Sequence, residues 1–184
     1  MYTVTTRMRI AALIAALALA ALTGLAAPES PLPSLVECDE VILHAKFPYQ
    51  SSGYRLVLGV VSVPPAHLRI VYPTRRRPWA YWRKAGLVVR ADRGPVLVSV
   101  PKAWRSRVGI SWGSAGIVSA LRIAHCSTKY EVRDKDAKGA PKMGNAYSGG
   151  FHLRRRSACV PLIFRVGHRT ETVRFGVGQR CRRA

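Results

Sequence analysis

From Cys38 onward the chain is built of short apolar runs rich in Val, Ile and Leu, each bounded by Gly, Pro or charge. That spacing predicts an antiparallel β domain. The expected strands are Cys38 to Ala45, Tyr54 to Val63, Gly86 to Ala91, Pro95 to Val100, Arg107 to Trp112, Ile117 to His125, Gly150 to Arg154, Val160 to Val166 and Arg169 to Gly176. Nine short strands predict an all-β chain with the architecture of an immunoglobulin-like antiparallel sandwich. One short helix is expected over Pro64 to Val71. There Ser62 precedes two prolines, and Leu68, Val71 and Tyr72 recur at helical spacing.

The last hairpin is the sharpest local reading. Gly167-His168 predicts a two-residue type II′ turn, which sets Val166 opposite Arg169, Leu162 opposite Val173 and Val160 opposite Phe175. In that register Val160, Leu162, Phe164, Val166, Val173 and Phe175 share a core face, whereas Arg165, Thr170, Thr172 and Arg174 share a wet one. The register also brings Cys159 and the segment ending at Cys181 to one end. Of the three pairings that four cysteines allow, the first expected is therefore Cys159 with Cys181 and Cys38 with Cys126.

Two segments depart from the strand pattern. Thr128 to Ala146 is charged and aperiodic and reads as an exposed, mobile loop. At the N-terminus, Arg7 and Arg9 precede an apolar run from Ile10 to Leu22, then Gly24 and Ala26 occupy the small-residue positions of a cleavage site. Residues 1–26 therefore read as a secretory signal, residues 27–36 as a Pro/Ser linker and residues 37–184 as a single β domain. If the signal stays uncleaved it serves as an N-terminal membrane anchor, although the apolar stretch from Ile10 to Ala27 is only marginally near the ~20 residues a spanning helix needs. Export places the four cysteines in an oxidising compartment, where an even number predicts disulfide bonds. Their spacing has no close pair of the kind zinc sites use.

Charge narrows the partners more than it defines them. The chain carries +21, and loss of Arg7 and Arg9 with the signal leaves +19. Such a field attracts polyanions: an acidic envelope polymer, an anionic membrane surface or nucleic acid. Arginine supplies 23 of the 30 basic residues, and with abundant Ala, Gly, Val and Pro this is also the composition a GC-rich genome produces.

No catalytic set is visible. Trp112-Gly113-Ser114-Ala115-Gly116 lacks the G-x-S-x-G arrangement of a nucleophile elbow and reads as a Gly-rich strand connection. His44, His67, His125, His152 and His168 have no metal-binding spacing, so each reads as a surface or strand histidine. Cys126, beside His125, is expected to be a bridge sulfur rather than a nucleophile, and nine acidic residues offer no paired carboxylates for glycoside cleavage. No metal or cofactor is predicted. One constellation suggests binding: Arg75, Arg76, Arg77, Trp79, Tyr81, Trp82, Arg83 and Lys84, five cations and three rings that could meet anions through Arg forks while rings stack on sugars or bases. The competing reading is structural, with Trp79 and Trp82 plugging an open edge and the arginines a solvated loop. Arg154-Arg155-Arg156 is a weaker second patch, expected in a hairpin turn.

The stretches Leu58-Gly59-Val60-Val61-Ser62-Val63-Pro64-Pro65, Tyr81-Trp82-Arg83-Lys84-Ala85-Gly86-Leu87, Asn145-Ala146-Tyr147-Ser148-Gly149-Gly150-Phe151 and Ser157-Ala158-Cys159-Val160-Pro161-Leu162 resemble uncharacterised small exported proteins of actinobacteria. The resemblance implies export and a compact, bridged β domain, and it carries no activity. The expected function is that of a noncatalytic exported protein associating with the cell envelope or another anionic extracellular partner. The alternatives are an enzyme acting on envelope polymers and an exported nucleic-acid binder.

Overall fold

The computed structural model describes residues 32–127 and 143–182, so the expected signal segment and most of the expected loop lie outside the described residues. The strands in chain order are β1 (Ser34–Val36), β2 (Leu43–Lys46), β3 (Arg55–Val57), β4 (Val61–Val63), β5 (His67–Leu68), β6 (Tyr72–Pro73), β7 (Tyr81–Lys84), β8 (Leu87–Arg90), β9 (Val96–Ser99), β10 (Val108–Trp112), β11 (Ala120–Ile123), β12 (Met143–Tyr147), β13 (Gly149–Leu153), β14 (Ala158–Val166) and β15 (Arg169–Val177). The chain is an all-β protein of largely antiparallel sheets. Six strands run in the order β1-β11-β9-β14-β15-β5, five in the order β2-β12-β8-β4-β3 and four in the order β10-β13-β7-β6. Two pairings are parallel, β1 with β11 and β15 with β5.

One apolar core draws on all three sheets. Leu121, Val98, Leu162 and Phe175 come from the six-stranded sheet, Val61, Leu87 and Tyr147 from the five-stranded one, and Ile110, Trp112, Phe151 and Leu153 from the four-stranded one. Burial alternates with a period of two along β9, β11 and β14, as half-buried strands require, whereas β4, β8, β12 and β13 are buried in unbroken runs. The β14–β15 hairpin has the register expected from its turn, with Val166 opposite Arg169, Leu162 opposite Val173 and Val160 opposite Phe175. Gly167 takes a positive φ of 57°, as the first position of that turn demands. Both bridges join the expected partners, Cys38–Cys126 and Cys159–Cys181.

Several local expectations are corrected. Tyr54 to Val63 is a hairpin rather than one strand, because the chain turns at Leu58-Gly59. Leu58 holds a positive φ of 52°, and the turn is tied to β15: its amide donates to the Glu171 carboxylate and its carbonyl accepts from the Arg169 guanidinium. The helix expected over Pro64 to Val71 is extended. His67 and Leu68 pair with Gly176 and Val177, and the Gly176 and Gly178 amides donate to the carbonyls of Ala66 and Leu68. The short helical elements are instead single 3-10 turns at Cys38–Glu40, Ser51–Gly53 and Lys102–Trp104. Cys38 to Ala45 is accordingly a 3-10 turn followed by β2. Ser34–Val36 belongs to the sheet rather than to a linker, and Met143–Tyr147, partly assigned to the loop, lies between β2 and β8.

Candidate functional site

The four-stranded sheet carries the site on its outer face. Along β10, Val108, Ile110 and Trp112 are fully buried and point inward, so Gly109 and Ser111 point outward. Along β13, Phe151 and Leu153 point inward and Gly150 and His152 outward. On β7, Trp82 lies opposite His152 and thus shares its face, and on β6 Tyr72 lies opposite Trp82. Three rings from three neighbouring strands therefore form a row. Tyr72 and Trp82 have centroids 6.4 Å apart at 41°, and Trp82 and His152 6.5 Å apart at 35°.

Beside this row is a cleft of about 490 Å³ bordered by Tyr72, Thr74, Arg76, Trp82, Ser111 and His152. Arg76 comes from the loop between β6 and β7, where its amide donates to the Thr74 hydroxyl at 3.2 Å. His152 is 5% exposed and lies 2.8 Å through Nε2 from Ser111 Oγ, while its buried Nδ1 has no partner. Burial, with the nearby Arg76 charge adding to it, pushes the His152 imidazole down to about 4. The ring is thus neutral at physiological pH and carries one proton.

The unpartnered Nδ1 is the ground on which that proton is assigned. A buried N–H without an acceptor is rarer and more costly than an acceptor lacking a donor, so the proton is assigned to Nε2, which donates to Ser111 Oγ. In this tautomer no imidazole lone pair faces Ser111 to take its proton. The Ser111 hydroxyl hydrogen is instead free to donate into the cleft. Together with the Arg76 guanidinium, it gives the cleft two donors and a ring surface, which suits an oxygen-rich anion.

Comparison of the chain with protein-family models, with curated proteins and with solved structures finds no match. The site therefore rests on its own geometry.

The predicted constellation is divided by strand alternation. Arg76 and Trp82 reach the cleft, and Arg75 and Arg77 are exposed in the same loop. Lys84 is exposed on the outer face. Tyr81 and Arg83 face the other way, opposite Leu153 and Phe151, with Tyr81 packed on the core. Trp79 lies over Gly109 of β10, the strand at one end of the four-stranded sheet, where a Cβ would come within 3.3 Å of its ring, and Arg154 stacks on it at 5.8 Å. Arg154, Arg155 and Arg156 are exposed in a link between two sheets rather than in a hairpin turn, since β13 and β14 do not pair. The Trp112 to Gly116 segment is the turn leading out of β10, and the Ser114 amide donates to Glu40.

His44, His67 and His152 are strand histidines, as expected. His44 is buried and satisfied by Asn145 at 2.7 Å, whereas His152 belongs to the cleft. Ser111, Tyr72 and Thr74 were not singled out from the sequence. Their signal was the small residues Gly109 and Gly150 at wet-face positions of otherwise apolar strands, which mark a sheet face that something else approaches. Among the described residues no group of three His, Cys, Asp or Glu side chains lies close enough to hold a metal ion.

A pH experiment reads the burial of His152 directly. The unfolded chain protonates this ring near its ordinary 6.5, while the folded protein resists protonation to about 4, so between these limits the unfolded state binds the extra proton. The stabilisation is full above about pH 6.5 and declines as the pH falls toward 4. The melting temperature of His152→Gln should fall less steeply across this window than that of the wild type. Parallel curves would show that His152 titrates alike in both states.

Proposed function

We propose that the protein is an exported, noncatalytic β-domain protein that attaches to an anionic polymer of the cell envelope. The supporting observation is that three surface depressions each contain arginine and, among the described residues, none is bordered by a carboxylate. They are the cleft with Arg76, a depression of about 600 Å³ with Arg174, Arg180 and Arg182 beside Cys159, and one of about 360 Å³ with Arg69 and Arg156. Residues 1–26 act as the export signal in this reading. The two disulfide bonds suit the oxidising conditions outside the cytoplasm, and no helix among the described residues is long and apolar enough to cross a membrane. Nucleic acid is the weaker partner, because Tyr81 turns inward and Trp79 lies against the sheet, so that of the three rings interleaved with the cations only Trp82 reaches the cleft.

Retention of the purified protein on wall material in rising salt tests the proposal. Arg75, Arg76 and Arg77 are exposed, and no carboxylate among the described residues pairs with them. Replacing all three with Ala should lower the eluting salt concentration clearly, since each cation removed reduces counterion release on binding. Elution of the wild type at the same salt as an unrelated protein of equal charge would leave only nonspecific attraction.

A further inference from the structure

We propose that the cleft over Trp82 binds one sugar unit that carries an oxyanion, with the ring lying across Tyr72 and Trp82 and the carboxylate or phosphate held by Arg76 and the Ser111 hydroxyl. This deepens the envelope-polymer reading and rests on it for the source of the ligand. The ring geometry selects the sugar. A planar base between two aromatic side chains needs nearly parallel faces, whereas Tyr72 and Trp82 are inclined at 41° with centroids 6.4 Å apart and form an open angle. A puckered pyranose fits such an angle, presenting the C–H groups of one face to Trp82 and its edge to Tyr72. Those C–H groups are the apolar surface a sugar offers to an aromatic ring.

The donors select the charge. Arg76 offers a planar fork of N–H groups matched to a carboxylate or phosphate. Ser111 adds a hydroxyl hydrogen released by the His152 tautomer, and neutral His152 brings no competing charge to the cleft. Among the described residues no acidic side chain borders the site. Position is fixed by the sheet, because Tyr72, Trp82 and His152 stand in register on β6, β7 and β13 rather than on mobile loops. The volume, about 490 Å³, falls in the lower part of the range of roughly 300 to 1,000 Å³ typical of small-ligand clefts.

The test uses the oxidised full-length secreted form and tryptophan fluorescence with calorimetry. The probes are a uronic-acid oligosaccharide, a sugar phosphate, the neutral oligosaccharide of equal length, a mononucleotide and inorganic phosphate. Either charged sugar should bind about tenfold or more tightly than the neutral one, because a hydrogen bond to a charged group contributes about 1.5–3 kcal/mol. Trp82→Ala should lose about tenfold, and Ser111→Ala a smaller but measurable part, with Trp82→Phe restoring binding if the Ala variant folds poorly. Equal binding of the neutral sugar, or binding of the mononucleotide or inorganic phosphate as tight as that of the charged sugars, overturns the assignment. Retention on wall material with no binding of either charged sugar also overturns it and leaves the envelope reading standing. Charged-sugar binding without wall retention supports the cleft assignment and removes the envelope polymer as its source.

Discussion

Reducing both disulfide bonds should lower the melting temperature by about 10 °C or more, the longer bridge accounting for most of the loss. Cys38–Cys126 closes a separation of 88 residues and Cys159–Cys181 one of 22. On the chain-entropy account these restrict the unfolded state by about 5 and about 3 kcal/mol respectively. A domain of this kind has only about 5 to 15 kcal/mol of stability in all. The Cys38→Ser/Cys126→Ser variant should therefore melt lower than the Cys159→Ser/Cys181→Ser variant, and production in a reducing cytosol should give poorly folded protein. Differential scanning calorimetry with and without reductant, alongside titration of free thiols, makes the comparison. Four reactive thiols in the native protein with an unchanged melting curve would show that these cysteines are not structural bridges.

The other large effect is expected at Trp112. Its side chain is fully buried, its indole Nε1–H donates to the Ala85 carbonyl at 2.7 Å, and its ring meets Phe151 edge-on with centroids 5.7 Å apart. Trp112→Ala should cost about 3 to 5 kcal/mol through lost contacts and the cavity left behind. Trp112→Phe separates the contributions, because it retains an aromatic ring and leaves the buried Ala85 carbonyl without its donor. That carbonyl should account for about 1 to 3 kcal/mol. Denaturant melts of the two variants check both figures: a Trp112→Phe variant as stable as the wild type would show that the hydrogen bond contributes nothing of its own, and equal losses in the two would show that the ring's packing contributes nothing beyond it.

The parts of the fold legible in the sequence are those fixed by neighbours along the chain. The β14–β15 hairpin carries its own turn and alternation, and its register in turn constrained the bridge at its open end. The β3–β4 turn was hidden because Leu56 to Val63 is almost continuously apolar, and its positive-φ Leu58 is held by Glu171 and Arg169 from far along the chain. Strand β7 reads as a cation–aromatic cluster, because Tyr81 and Trp82 are both rings and Arg83 and Lys84 both cations, so side-chain type does not reveal the alternation. Strand β12 contains Gly144 and Asn145, two residues that argue against a strand, yet both are buried between β2 and β8. The same limit hid the site. Ser111 and His152 are unremarkable in their own segments and become neighbours only when β10 pairs with β13.

The pairing order also bears on how the chain matures. Synthesis delivers the N-terminal side first, yet β1 rests on β11 and β2 on β12, strands that follow most of the domain. Until Leu121 and Met143 have emerged, these early segments have no partner strand, and Cys38 has no sulfur to join before Cys126. Completion of the β1 and β2 edges is therefore deferred until late in synthesis, whereas β3, β4 and β8 can pair earlier, and the delay leaves the unfinished forms open to chaperones and proteases.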